Sequence, residues 1–167
     1  AELLQSGVPA RDGAPSPHEL PALVRAVYYF WLAVAARLER GESGIHSTML
    51  VHTSRLVDDH EALRPVIEEL VEAAGKAFAD GVCVDSRLRK ELEAIWNDEA
   101  FRVPNGRNAD DVASFRQLEA RLGDVIEQCR VICENQRSRD RLDYPDGGST
   151  TIVIGGNILS RGLTLEG

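Results

Sequence analysis

The residues with the most chemical content lie at the end of the sequence, in Ile152-Val153-Ile154-Gly155-Gly156-Asn157-Ile158-Leu159-Ser160-Arg161-Gly162-Leu163-Thr164-Leu165-Glu166-Gly167. A β-branched run that ends in Gly-Gly-Asn lets the backbone turn tightly and show its N–H groups at the carboxyl edge of a sheet. That edge is where open α/β sheets bind ligands. Ser160 would add a hydroxyl donor in the same crevice, and Arg161 a fork-shaped cation suited to phosphate oxygens. The same residues also fit a structural turn with Arg161 in a salt bridge. Both readings stay open at this level.

Other constellations carry less. A P-loop needs G-x-x-x-x-G-K-[ST], so that backbone N–H groups, a lysine and a hydroxyl surround phosphates and Mg²⁺. Here Gly75-Lys76 is followed by Ala77 and has Leu70 where glycine is required, so this chain alone is expected not to hydrolyse ATP. Asp98-Glu99 follows a helical pattern rather than a buried strand and does not read as a Mg²⁺-holding pair. Asp58, Asp59 and His60 are adjacent, as a nuclease cluster around Mg²⁺ would be. Consecutive helical residues point in different directions, however, and one of the two aspartates is more simply a helix N-cap. Cys129 and Cys133 have no Cys/His partner pair nearby and read as core thiols. His46 and His52, six apart around a short apolar run, can share a face of an extended segment and read as structural histidines. No G-x-S-x-G elbow is present.

The elements that must position these residues are legible from periodicity. Ser16 and Glu19 have capping-box spacing, and Pro17 suits a first helical position. Leu20, Leu23, Val24, Val27, Tyr28, Trp31, Val34 and Leu38 then recur at three and four residues, predicting a helix from Pro17 to Arg40. Residues 47–53 read as a short buried strand running into Thr53-Ser54-Arg55. A second helix carries Leu63, Val66, Ile67, Leu70, Val71, Ala74 and Phe78 on one face, with Pro65 predicting a kink or a later start. Ser86 to Asn97 and Val112 to Gln128 read as helices around a polar turn at Pro104-Asn105-Gly106, and Arg130 to Gln136 as a strand. Thr150 to Ile154 is the final strand. Apolar strands alternating with amphipathic helices predict a mainly parallel sheet covered on both faces.

Composition bounds the rest. The 167 residues, 43% hydrophobic and 28% charged, suit one soluble domain and exclude disorder, collagen and coiled coil as descriptions of the whole. Residues 1–15 read as a tail or the scar of a longer protein, and 16–167 as the α/β domain, expected to continue past Gly167. No apolar run approaches the ~20 residues that span a bilayer, and no leader pattern stands at the start, so a cytoplasmic location is expected. Three scattered cysteines suit a reducing compartment. The formal charge is −8, and Asp58 to Glu99 holds twelve acidic against five basic residues. Arg130 to Arg141 reverses the sign. All basic residues but Lys76 and Lys90 are arginines, a bidentate partner for phosphate or carboxylate, although genome composition explains such a bias equally well.

The run from Gly155 to Gly167 resembles the hallmark of the Z-one domain family, whose members carry an endonuclease label and occur in bacterial proteins beside a superfamily-two helicase module. His46-Ser47-Thr48-Met49-Leu50-Val51-His52-Thr53-Ser54-Arg55 resembles that family's strand-and-loop pattern, and the helix over Pro21 to Arg40 precedes it at the expected distance. The same C-terminal run resembles the fifth motif in the second RecA-like lobe of superfamily-two helicases, which faces ATP phosphates and nucleic-acid backbone. Ser54 and Arg55 would then stand near the fourth motif. The resemblance implies a three-layer α/β domain of helicase second-lobe type, truncated at the C-terminus. It implies phosphate or nucleic-acid contacts by Thr53, Ser54, Arg55, Gly155, Gly156, Asn157, Ser160, Arg161 and Gly162, with no catalytic residue identified. The domain alone would bind no cofactor and no metal. ATP and Mg²⁺ would belong to the full-length protein, as would DNA and the remaining helicase lobe as partners; no membrane is expected. The rival expectation is a non-catalytic module that docks a partner protein with an acidic helical face. The −8 charge favours the rival, since nucleic-acid binding depends on cations, while the arginines and the crevice favour the first.

Overall fold

The structure is a computed structural model that describes residues 20–52, 56–79, 82–100, 113–138 and 140–155. Its first helix, α1, spans Pro21–Glu39. The expected start at Pro17 is therefore corrected, because Leu20 is non-helical, with φ −125° and ψ 56°. A proline disfavours helical geometry in the residue before it, and Pro21 itself suits the first helical position. The capping residues proposed from sequence, Ser16 and Glu19, lie outside the described residues. By length and composition α1 is apolar enough to cross a membrane, contrary to the expectation that no run would be. Within this fold Val27, Trp31, Leu32, Val34 and Ala35 are instead packed into the core.

Strand β1 spans Ser47–Val51, and helix α2 spans Val57–Ala77. The predicted later start of α2 is not seen. The helix runs through Pro65, an exposed position where water can reach the carbonyl that proline leaves without a donor. Asp58 and Asp59 lie in its first turn, suited to the positive end of the helix dipole, but Leu56 is the N-cap. A two-stranded antiparallel hairpin follows, β2 (Phe78–Ala79) and β3 (Val82–Cys83), which sequence reasoning missed by placing Phe78 on the helix. Helix α3 spans Ser86–Ala100, capped by Asp85, whose carboxylate accepts from the N–H of Arg87 at 2.8 Å. Asp98 and Glu99 form its last turn rather than following it.

Helix α4 spans Phe115–Glu127 and starts at Ser114, whose N–H donates to Gln117 Oε1 at 2.9 Å. The earlier part of its expected span, Val112, lies outside the described residues, as does the turn at 104–106. Arg89 of α3 grips Glu119 of α4 by two bonds, 2.9 and 3.2 Å, and lies over the Phe115 ring at 5.2 Å. Trp96 Nε1 donates to the carbonyl of Ala113 at 3.0 Å. These contacts join α3 to α4 side by side.

Strands β4 (Cys129–Glu134) and β5 (Thr150–Gly155) complete a three-stranded sheet in the order β1-β5-β4, with both pairings parallel. Among the described residues a parallel sheet with four helices makes an α/β fold, as the alternation of patterns implied. The register puts Met49, Ile152 and Val131 on one face and Leu50, Val153 and Ile132 on the other. The first face meets the helices in one core with Trp31, Leu63, Ile67, Leu92, Leu118 and Ile126. On the second face, Ile132 and Val153 are buried outside that core cluster. Central β5 is buried along its whole length, which explains its uninterrupted apolar sequence. The connection from β4 to β5 contains no described helix. It runs back beside β4, where Asp143 pairs with Arg130 at 2.7 Å and the N–H of Leu142 donates to the buried Glu134 at 3.2 Å.

Thr151 is fully buried on the second face, and its hydroxyl has no hydrogen-bond partner among the described residues. An unsatisfied buried hydroxyl costs stability, so Thr151→Val should hold stability or raise it by about 1 kcal/mol. Urea unfolding checks this, and a loss above about 1 kcal/mol would reveal a partner for the hydroxyl.

Candidate functional site at the carboxyl edge of the sheet

Parallel pairing sends β1 and β5 to the same edge of the sheet. Their last paired residues are Val51 and Ile154. One residue further on, His52 Nδ1 lies 2.9 Å from the carbonyl oxygen of Gly155, clipping the two strand ends together. The segments Thr53-Ser54-Arg55 and Gly156-to-Gly162 are rooted at these two residues, although some hundred positions separate them in sequence. Of the nine candidate contact residues, Gly155 is described. Thr53, Ser54, Arg55, Gly156, Asn157, Ser160, Arg161 and Gly162 lie outside the described residues.

The third strand delivers a polar group to this edge as well. Just beyond β4, Asn135 is buried and accepts at Oδ1 from the N–H groups of Arg137 and Ser138, both at 2.8 Å. Its amide donates to Cys133 Sγ at 3.2 Å. A short polar side chain that bonds the backbone two and three residues ahead fixes a tight turn. That turn presents Arg137 to the first turn of α2, where it pairs with Asp58 and lies 3.8 Å from Glu61. One turn along, Arg64 bonds Asp140 at 2.7 Å and Glu68 at 2.8 Å. Sequence reasoning did not single out Asn135; an Asn two residues before an arginine, just after an apolar run, is the signal that could have found it.

The arginines between 130 and 141 are largely occupied by the chain itself. Arg130 pairs with Asp143, Arg137 with Asp58, and Arg141 donates to the carbonyls of Ser138 and Asp140. Arg139 lies outside the described residues. The charge reversal read from sequence is therefore answered internally at these three positions. Pairing also holds the Arg137 guanidinium above its ordinary range, with the Asp58 bond the main cause.

Asp58 and His60 do not converge. Asp58 is exposed beside Arg137, whereas His60 is buried on α2. Among the described residues no three His, Cys, Asp or Glu side chains are grouped to hold a metal ion. His46 and His52 stand at opposite ends of β1, each bonded to β5 or the residue before it: His46 Nδ1 lies 2.9 Å from Ser149 Oγ. Their structural reading holds. Cys129 and Cys133 are buried in β4, and Trp31 Nε1 donates to Cys129 Sγ at 3.4 Å. Burial pushes the Cys129 thiol up to about 11, so it is protonated and unreactive at neutral pH.

The fold and edge together define a parallel α/β domain in which β1 and β5 end side by side at one carboxyl edge. The family model described as "Z1 domain" matches residues 22–167, and the chain belongs to the Z1 domain family. No curated protein and no solved structure matches it.

Proposed function

We propose that this Z1 domain is a helicase-associated module of a larger DNA-acting ATPase or nuclease, and that it supplies phosphate or nucleic-acid-backbone contacts rather than complete catalysis. The observation that carries this reading is the pairing of β1 with β5, because it roots both candidate segments at one sheet edge. In this reading Arg55 and Arg161 supply the cations, and Thr53, Ser54 and Ser160 the hydroxyl donors. Gly155, Gly156, Asn157 and Gly162 let the backbone approach a phosphate closely. The resemblance of Gly155 to Gly167 to the fifth motif of superfamily-two helicases supports it, as does the resemblance of Ser54-Arg55 to the fourth. A RecA-like second-lobe type belongs to the same proposal. ATP and Mg²⁺ would then be held chiefly by the lobe that carries a P-loop, and cleavage of nucleic acid would be an activity of the whole protein.

The test is Arg161→Ala in the full-length protein, followed by fluorescence anisotropy on duplex DNA and by nucleotide titration. Loss of a charge-assisted contact of roughly 1.5–3 kcal/mol corresponds to a tenfold to hundredfold weaker affinity. The melting temperature should stay unchanged, and the salt slope should fall by about one. Arg161→Lys should restore part of the affinity, because an ammonium lacks the planar two-point contact. Unchanged affinity beside a lowered melting temperature would retire the proposal and assign Arg161 to a structural salt bridge.

A further inference from the structure

Helices α1, α2 and α3 enclose an open trough of about 710 Å³. Two of its walls repeat the same helical spacing. Pro21, Val24, Arg25 and Tyr28 of α1, and Leu70, Ala73, Ala74 and Ala77 of α2, are each a set at i, i+3, i+4 and i+7. Each set covers two turns, about 10 Å of helix. Ala73, Ala74 and Ala77, with Ala94 of α3, leave the hollow open where larger side chains would have filled it. Small residues let a further helix approach closely, ridge into groove.

The rim is acidic. Glu69, Asp85 and Glu91 line it, and α2 and α3 lie within the stretch that holds most of the excess negative charge. The two cations at the rim are already engaged: Arg87 bonds Glu91 at 3.1 Å and Arg25 bonds Asp98 at 3.3 Å. Glu69 has no ion pair among the described residues. Tyr28 is only 8% exposed, yet its hydroxyl makes no hydrogen bond among the described residues. Tyr28 lines the trough together with Asp85 and Glu91, and burial, then these carboxylates, raise its phenol above the ordinary value.

We infer that this trough docks a basic amphipathic helix of a separate partner protein. Its apolar residues rest on the alanine floor, and a lysine or arginine sits beside Glu69 and the Tyr28 hydroxyl. An apolar floor inside a carboxylate rim complements that chemistry and repels a nucleic-acid backbone. The site lies away from the carboxyl edge of the sheet and does not depend on the function proposed there.

Isothermal titration calorimetry of the 167-residue chain tests it with a capped 14-residue peptide of leucine and lysine, patterned as an amphipathic helix. The same composition in scrambled order is the control. The amphipathic peptide should bind at least tenfold tighter than the scrambled one. Ala73→Leu and Ala94→Leu, both at exposed positions, should each weaken it at least tenfold by filling the floor. Tyr28→Phe should weaken it about threefold, and the exposed charge reversal Glu69→Lys at least fivefold, with melting temperatures unchanged. Equal binding of the two peptides, or full affinity in both Ala94→Leu and Glu69→Lys, would overturn the inference. So would a concentration-dependent dimer that Ala94→Leu dissociates, which would assign the trough to a second copy of this chain.

Discussion

Trp31→Ala is expected to be among the most destabilising single substitutions in this domain. The side chain is fully buried at the centre of α1 and packs against Tyr28 with ring centroids 5.7 Å apart. Its indole N–H reaches Cys129 Sγ at 3.4 Å, so one residue ties the first helix to the edge strand β4. Truncation removes the ring, leaves a cavity between helix and sheet, and strands a thiol without its donor. Large-to-small changes of this kind cost about 3–5 kcal/mol. For a chain of this size that lowers the melting temperature by about 6–20 °C. Trp31→Phe retains most of the apolar volume and should cost clearly less. Urea unfolding of the two variants beside the parent measures the difference, and a loss below about 1 kcal/mol for Trp31→Ala would mean the helix does not pack as described.

The second large effect is expected at Gly148. Its φ is +87°, and a Cβ placed there would lie 2.9 Å from both the carbonyl carbon of Gly44 and the carbonyl oxygen of Ile45. Those atoms are backbone, held where the turn before β1 meets the turn before β5. The N–H of Ser47 donates to the carbonyl of Ser149 at 2.7 Å in the same place. Gly148→Ala therefore combines a left-handed conformation with a contact that cannot relax by side-chain rotation, about 2–5 kcal/mol in all. Gly147 is the internal control. It also has a positive φ, +97°, but a Cβ there would meet nothing within 4 Å. Gly147→Ala should cost only the conformational part, about 1–2 kcal/mol. Equal losses at the two positions would show that the two turns do not touch.

The helical stripes and the β-branched strand were legible because burial on one face or on both writes a repeat directly into the residue order. The run at 150–155 could hardly be anything but a strand buried on both sides, and the stripe around Trp31 could hardly face water. Local competition decided the boundaries instead. Pro21 moved the start of α1 because the residue before a proline resists helical geometry, and the two-residue strands of the hairpin are too short for any period to register.

At the carboxyl edge, the sequence by itself determined the kinds of residue available: glycines for close approach, hydroxyls, and arginines. Only the tertiary structure decided which strand ends stand side by side. The pairing of Val51 with Ile154 joins segments about a hundred residues apart, and nothing in either segment names the other. The same holds for charge. Read along the chain, Arg130, Arg137 and Arg141 form a basic stretch; in the fold two of them meet carboxylates and the third meets backbone carbonyls. The open trough, too, has no local signature, because it forms where the alanines of α2 and α3 come together beside α1. Periodicity is a property of one element facing its surroundings, whereas a site is a property of several elements facing each other, and their separation is set by packing that no short stretch of sequence contains.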